Sequence, residues 1–279
     1  MSTWLITGCS TGLGRALAEA VLASGHNAVA TARDVSTVEH FADAHPDTAL
    51  ALALDVTDST QVTATVAQAE ERFGSIDVLV NNAGYGYRAA VEEGDDADVE
   101  RLFATNFFGA IAMIKAVLPG MRAQQAGAIV NISSIGARIT PAGSGYYSAS
   151  KAALEGASGS LRWELAPLGI SVTVVEPGAF RTDFAGRSLT QSAEPIDAYA
   201  DTAGKRRIEK GTGHGTQVGD PAKAATAIIT AVEAPDTPFL LMLGEDAVNG
   251  FRYVSDAQSA EVEKWKALAV GTAYEDRGR

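Results

Sequence analysis

Within the 279 residues, the stretch "YYSASK" (146–151) sets two tyrosines beside a lysine that can change their acidity. A phenol ordinarily titrates near pH 10, and a nearby ammonium group stabilises its phenolate. Helical geometry separates the two candidates. Side chains four apart share a helix face, so Tyr147 lies over Lys151, whereas Tyr146, five residues away, does not. A second chemical signal is "TGCSTGLG" (7–14), which follows a strand-like run. Its Gly8, Gly12 and Gly14 leave room for a tight turn or for a ligand close to the backbone. A helix starting there offers free N–H groups and the positive end of its dipole to a pyrophosphate.

These groups work together only if the chain brings them together. Short apolar runs at 3–7, 28–32, 50–54, 77–81, 128–132, 171–175 and 238–242 read as buried strands. Helical segments are expected near 13–24, 59–73, 98–118, 147–166 and 221–233. This alternation predicts an α/β fold, a single domain on a doubly wound, parallel, seven-stranded Rossmann sheet flanked by helices. The dinucleotide-binding and catalytic domain would span 1–245, with 246–279 an extension packed on it and helical over 256–270. Residues 182–219 are polar and glycine-dotted, and are expected to form a substrate lid that is loose until ligand binds.

Composition narrows the function classes. Against 22 basic residues stand 34 acidic ones, a net charge of −12 that argues against nucleic acid as the main partner. One cysteine, Cys9, leaves no internal disulfide and no cysteine-built metal site. It reads as a small residue filling the glycine turn rather than a redox switch. His26, His40, His45 and His214 lack a metal-ligand spacing, so no metal is expected. No signal peptide fits, no apolar stretch looks long enough to span a bilayer, and a cytoplasmic location is expected.

NAD-binding units place an acid at the end of the second strand. Here Ala32 stands in that place, followed by Arg33, which suits a 2′-phosphate. NADP(H) is therefore the expected cofactor and NAD(H) the alternative. Asp34 would reach the ribose only if the backbone shifted.

Taken in order, "TGCSTGLG", "LDVTD" (54–58), "NNAG" (81–84), "NFFG" (106–109), "SS" (133–134), "YSASK" (147–151) and "PGAFRT" (177–182) carry a family resemblance. Over residues 3–245 the chain resembles a short-chain dehydrogenase/reductase of the roughly 250-residue type. The resemblance implies hydride transfer between NADP(H) and a carbonyl or secondary alcohol. Tyr147 would be the general acid/base, with Lys151 lowering its pKa and donating to the nicotinamide ribose. Ser134 would bind the substrate oxygen, and Asn106 would hold a water behind the lysine. Ser133 rivals Ser134, and strand alternation lets only one of them reach the site.

The same resemblance assigns the cofactor contacts. Gly8, Ser10, Thr11, Gly12, Leu13 and Gly14 would cradle the pyrophosphate, and Arg33 the 2′-phosphate. Asp55 and Val56 would line the adenine pocket, and Asn82, Ala83 and Gly84 would pass beside the adenosine ribose. Pro177, Gly178, Phe180 and Thr182 would form the nicotinamide wall, Phe180 standing where the family more often has a smaller aliphatic residue. A substrate wall would draw on Tyr85, Tyr87, residues 135–146 and the 182–219 segment. Tyr146 would shape the pocket or pack. Aromatic groups point to an apolar carbonyl or alcohol, while Arg138, Arg181 and Arg187 leave room for an acidic one.

Small residues along 147–166 and the apolar 98–118 segment suggest helices that bury a second face in a homodimer or homotetramer. Two other readings stand beside the reductase. A non-enzymatic NADP(H)-sensing protein would keep the fold without needing Asn106, Ser134, Tyr147 and Lys151. An epimerase or dehydratase of the wider family usually carries a larger C-terminal substrate domain.

Overall fold

The first strand, β1 (Thr3–Ile6), sets the pattern for the sheet: Trp4 and Ile6 enter one core and Leu5 the other, all closed to water. The computed structural model describes residues 1–186, 188–208 and 215–274. Burial on both faces recurs in β2 (Asn27–Ala32), β4 (Val78–Asn81), β6 (Gly127–Ile132) and β7 (Ile170–Pro177). The margins are β3 (Ala49–Ala53) and β9 (Leu240–Leu243), both only part-buried. These seven strands run parallel in the order β3-β2-β1-β4-β6-β7-β9. A separate parallel pair, β5 (Gly86–Arg88) with β8 (Leu189–Gln191), stands beyond the sheet.

Helices cover both faces, as consecutive apolar positions in the strands require. On the Trp4 side lie α1 (Gly12–Ala23) and α8 (Pro221–Glu233), with Phe41 of the short α2 (Glu39–Ala44) closing the margin. On the Leu5 side lie α3 (Ser59–Phe73), α5 (Ala110–Gln124) and the end of α6 (Gly145–Leu165). The seven apolar runs are thus the seven strands of the sheet, with small shifts at their ends.

Three features depart from the expected elements. The 98–118 helix is α4 (Asp96–Phe103), a π turn over Ala104–Gly109, and α5. This continuous stretch, Asp96–Gln124, is long and apolar enough by length and composition to cross a membrane, contrary to the expectation that none would be. Its Met113, Ile114, Val117 and Met121 are instead buried under the sheet.

The 182–219 segment is less irregular than its composition suggests. It contains β8, a π turn over Ala200–Gly204 and the single turn α7 (Lys205–Ile208). Glu93, fully buried, pins it: Oε1 accepts from Ile196 N (2.8 Å), Oε2 from Ala90 N (2.8 Å), and Arg207 pairs with the same carboxylate. Its carbonyl also accepts from Ser192 Oγ at 2.6 Å. A buried carboxylate with every oxygen engaged is costly to release, and this one ties Ile196 and Arg207 to the body of the fold. Residues 209–214 of the expected lid lie outside the described residues.

The last helix, α9 (Glu245–Val270), begins earlier than expected and packs over only its first part. Ala247 is buried, Gly250 sits against Ile135 and Ile139, and the Arg138 guanidinium lies 5.0 Å over the Phe251 ring. From Asp256 onward every residue of the helix is exposed. Local bonds such as Trp265 Nε1 to Glu261 Oε1 (2.8 Å) support that half in place of body contacts.

Candidate active site

Chain direction makes the site's location a matter of topology. From β1 the connections run outward one way through β2 and β3, and the other way through β4, β6 and β7. Open parallel sheets form a crevice where the order reverses, beyond the carboxyl ends of the strands. A cleft of about 890 Å³ lies there, lined from Gly8 and Leu13 through Asn82 and Tyr147 to Thr182. Its size suits a ligand with a second reactant beside it.

The glycine loop occupies one end. Gly8 (φ +73°) and Gly12 (φ +62°) hold left-handed conformations that a side chain would strain. No side chain caps the first N–H groups of α1, and no acid lies in its first turn. Ser10, Thr11, Gly12 and Leu13 therefore surround an open, positively polarised helix start. Gly14 behaves differently: it does not line the cleft, and a methyl group there would overlap Asn82 Nδ2 and the Gly8 carbonyl. Its bareness lets the helix approach its own loop, not a ligand. Asn82 fixes that loop by donating from Nδ2 to the carbonyls of Thr7 (2.9 Å) and Gly8 (3.0 Å). Cys9 is buried, its Sγ donating to the Ile6 carbonyl at 3.2 Å, and burial pushes its thiol up to about 12. It is a filler of the turn.

Arg33 is exposed at the rim beside Ala32, Asp55 and Val56, and no carboxylate among the described residues pairs with it. Asp34 turns away from the cleft. Its Oδ1 accepts from Ser36 N (3.1 Å) and Ser36 Oγ (2.8 Å), capping the next turn. Asp55 lines the cleft and accepts from the Thr57 hydroxyl at 2.7 Å. Ala83 and Gly84 complete this wall.

The acid–base candidates sit where β6 meets α6. Tyr147 is part-buried, and Ser134 lies close enough to its phenol to oppose the effect of that burial. Ser134 Oγ also accepts from Gly136 N at 2.9 Å, which fixes its rotamer. Lys151 is buried, its Nζ donating to the Ile132 carbonyl at 2.8 Å. Burial pushes the Tyr147 phenol up to about 12 against the influence of Ser134, and draws Lys151 down to about 8 against the pull of Glu155. The lowered tyrosine expected from the sequence is therefore not what these residues produce by themselves. Both groups lose solvent, which penalises phenolate and ammonium alike.

Both serines lie just past the end of β6 and both line the cleft, contrary to the expectation that only one would reach it. Ser133 is buried and donates from Oγ to Glu155 Oε1 at 2.6 Å, while Ser134 stands beside the phenol. Asn106 lies behind the cleft wall inside the π turn, buried, and does not line the cleft. Its Oδ1 accepts from Tyr85 N (3.0 Å), while Nδ2 donates to the Tyr85 carbonyl (2.9 Å) and Ser150 Oγ (3.1 Å). A methyl group on Gly84 would lie 3.0 Å from that Oδ1 and 3.4 Å from Lys151 Nζ. The amide is thus an anchor for the loop beside the lysine.

Pro177, Gly178, Phe180 and Thr182 all line the opposite wall. This wall leans on the C-terminal part of the chain. Gly178 N donates to the Leu243 carbonyl (2.9 Å), and Ala179 N donates to Asp246 Oδ2 (2.6 Å). A methyl group on Gly178 would overlap the Asp246 carboxylate. Asp246 and Glu155 escaped the sequence reading because their partners lie far away in the chain.

Toward the substrate side, Tyr85, Phe184, Ser188 and Thr190 line the cleft, and the Phe184 ring stands 5.6 Å from the Tyr147 ring. Tyr87 is not a wall residue but core, 1% exposed. Tyr146 packs on Gly94 and donates from its hydroxyl to the Val91 carbonyl at 2.6 Å, outside the cleft. Arg138 is engaged by Glu176, and Arg181 Nε donates to the Gln217 carbonyl at 3.2 Å. Arg187 lies outside the described residues.

Comparison with known proteins follows the same lines. The sequence model of the family described as short chain dehydrogenase matches residues 2–193. The "Oxidoreductase BOA17" of Botryotinia fuckeliana is 38% identical over 271 residues, 97% of this chain and 98% of its own length. A short-chain dehydrogenase structure from Streptomyces avermitilis superposes with a TM-score of 0.91 at 42% identity, covering 98% of this chain and 100% of that one. At 25% identity, a Burkholderia phymatum short-chain dehydrogenase/reductase solved with NAD (TM-score 0.80) covers 94% of this chain and 95% of that one. A Burkholderia cenocepacia short-chain dehydrogenase solved with NADP (TM-score 0.73), also 25% identical, covers 94% and 96% respectively.

Proposed function

The chain belongs to the short-chain dehydrogenase family and is an oxidoreductase, and from that premise we propose an NADP(H)-dependent carbonyl reductase or alcohol dehydrogenase with Tyr147 as acid and base. The observation that carries the reading is the meeting of Ser134, Tyr147 and Lys151 in one cleft with the glycine loop.

The residues fit a nicotinamide dinucleotide: Gly8 and Gly12 bare the backbone, and the α1 start has no side-chain cap. Bound there, that cofactor gives or takes the hydride. Ser134 and Tyr147 then meet the substrate oxygen together. In reduction Tyr147 donates its proton as charge develops on that oxygen; in oxidation it takes the proton back. With burial holding the phenol near 12, Tyr147 is protonated at neutral pH, the form that reduction requires. Lys151, as a buried ammonium, favours the phenolate left after transfer, and Asn106 keeps the loop beside it in place.

Arg33, with no carboxylate partner among the described residues, together with Asp34 turned into its own cap, favours a 2′-phosphate over a bare ribose. The related structures solved with NADP and with NAD support the cofactor class. Tyr85 and Phe184 beside Tyr147 favour an apolar carbonyl or secondary alcohol, as does the engagement of Arg138 by Glu176. A cytoplasmic homodimer or homotetramer completes the proposal.

The test follows NADPH absorbance against ketones, aldehydes, quinones and hydroxysteroids. Tyr147→Phe should lower turnover by about 100-fold or more, while Tyr146→Phe leaves it near wild type. A fully active Tyr147→Phe overturns the assignment. Tight NADPH binding without turnover of any substrate favours the sensor reading instead.

A further inference from the structure

Three consecutive residues at the end of β6 are tied to one face of α6. Ser134 stands beside the Tyr147 phenol, the Ile132 carbonyl accepts from Lys151 Nζ at 2.8 Å, and Ser133 Oγ donates to Glu155 Oε1 at 2.6 Å. Tyr147, Lys151 and Glu155 follow one another at intervals of four, so they form a single stripe along the helix. The first two rungs of this ladder belong to the acid–base site. The third is not used by the mechanism above.

Behind the third rung lies a compact charge cluster. Glu176 of β7 is fully buried and receives Arg138 through Nε (2.9 and 2.8 Å) and Nη2 (2.6 Å). Arg138 reaches Glu155 Oε2 with only one nitrogen, at 3.4 Å. Two carboxylates thus share one guanidinium, already taken up by Glu176, and Lys151 stands one helical turn from Glu155 on the same face of α6. Arg138 and Lys151 against Glu155 and Glu176 make the cluster electrically neutral. From α9 the uncharged Phe251 stacks under Arg138, and no α9 residue forms an ion pair with this group among the described residues. Glu155 and Arg138 also line a second opening of about 340 Å³, with Gly156, Gly159, Val174 and Phe239.

We propose that Glu155 is a positioning residue for the Tyr147–Lys151 pair, locking α6 to the end of β6 through Ser133 and supplying the counter-charge of the Lys151 ammonium. This inference rests on the acid–base reading of Lys151 given above. Glu155 holds Lys151 up against the burial that lowers it. Burial pushes Glu155 itself above the ordinary glutamate range, as does Glu176, while Ser133 and Arg138 oppose the rise. A carboxylate favours a neighbouring ammonium, so removing it must lower the pH at which Lys151 loses its proton.

The test begins without substrate or cofactor. In protein labelled with 13C at the lysine ε-carbons, the Lys151 signal is assigned by its loss in Lys151→Arg and followed against pH. Glu155→Gln, which keeps an acceptor for Ser133, should lower the Lys151 midpoint by about one pH unit or more. Glu155→Asp should recover part of that shift. An unchanged midpoint in Glu155→Gln overturns the proposal. Should Glu155→Gln fail to fold, the wild type decides: the Glu155 carboxyl 13C signal must respond at the Lys151 midpoint, and its silence there overturns the proposal equally. Turnover provides the link to function, since the basic limb of the pH profile in Glu155→Gln should move to lower pH with the NMR midpoint. If Tyr147→Phe abolishes turnover while the Lys151 midpoint ignores Glu155, this inference alone fails. If Tyr147→Phe stays active, the site assignment fails, and the NMR coupling is judged separately.

Discussion

Arg33 carries its charge at the rim of the cleft with no ion-pair partner among the described residues, and Asp34 spends its carboxylate on Ser36. On the NADP(H) reading proposed above, that charge would meet the 2′-phosphate. Arg33→Ala should weaken NADPH binding by about 10- to 100-fold and leave NADH binding nearly unchanged, read by fluorescence titration of both. Equal losses for both nucleotides would remove Arg33 from that role. Individual residues were legible in the sequence where their chemistry is local. Tyr147 and Lys151 are four apart, Gly8 and Gly12 sit in one turn, and Arg33 ends a strand. Glu155, Glu176 and Asp246 were not, because what each does is set by a partner on another element. The direction of the Tyr147 shift was likewise hidden. Spacing shows that a lysine is near, whereas burial, which dominates here, is a property of the folded surroundings.

Elements were read well where periodicity continues and poorly where it changes. All seven sheet strands announce themselves as short apolar runs, but the π turn at Ala104–Gly109 adds one residue to a helix without breaking its apolar pattern. The β5–β8 pair is invisible in sequence because each strand is three residues long and the two are distant in the chain. The loop after β7 is the element most exposed to small changes, since it has room for Asp246 only because Gly178 and Gly244 lack side chains. Gly178→Ala should destabilise the fold by about 1–3 kcal/mol in denaturant titration and weaken NADPH binding. Adding Asp246→Ala should recover part of that loss, because the clash is with its carboxylate; strictly additive losses would place the clash elsewhere.

For the molecule as a whole, the sheet and its helices close one core on each face, yet large apolar side chains stay outside. Phe108 is 61% and Trp163 69% exposed, on the π turn before α5 and on α6 respectively. A single chain in water gains nothing from leaving such groups wet, which is the physical case for a symmetric partner over these helices. Light scattering at micromolar concentration should return a dimer or tetramer, and Trp163→Glu should shift it toward monomer; a wild-type monomer would refute the arrangement. One further property follows from the wall of the cleft leaning on Leu243 and Asp246. A ribosome delivers Tyr147 and Lys151 long before it delivers those supports. The nascent chain thus carries both side chains through a further 95 residues, from Lys151 to Asp246, before the wall of the pocket has its support.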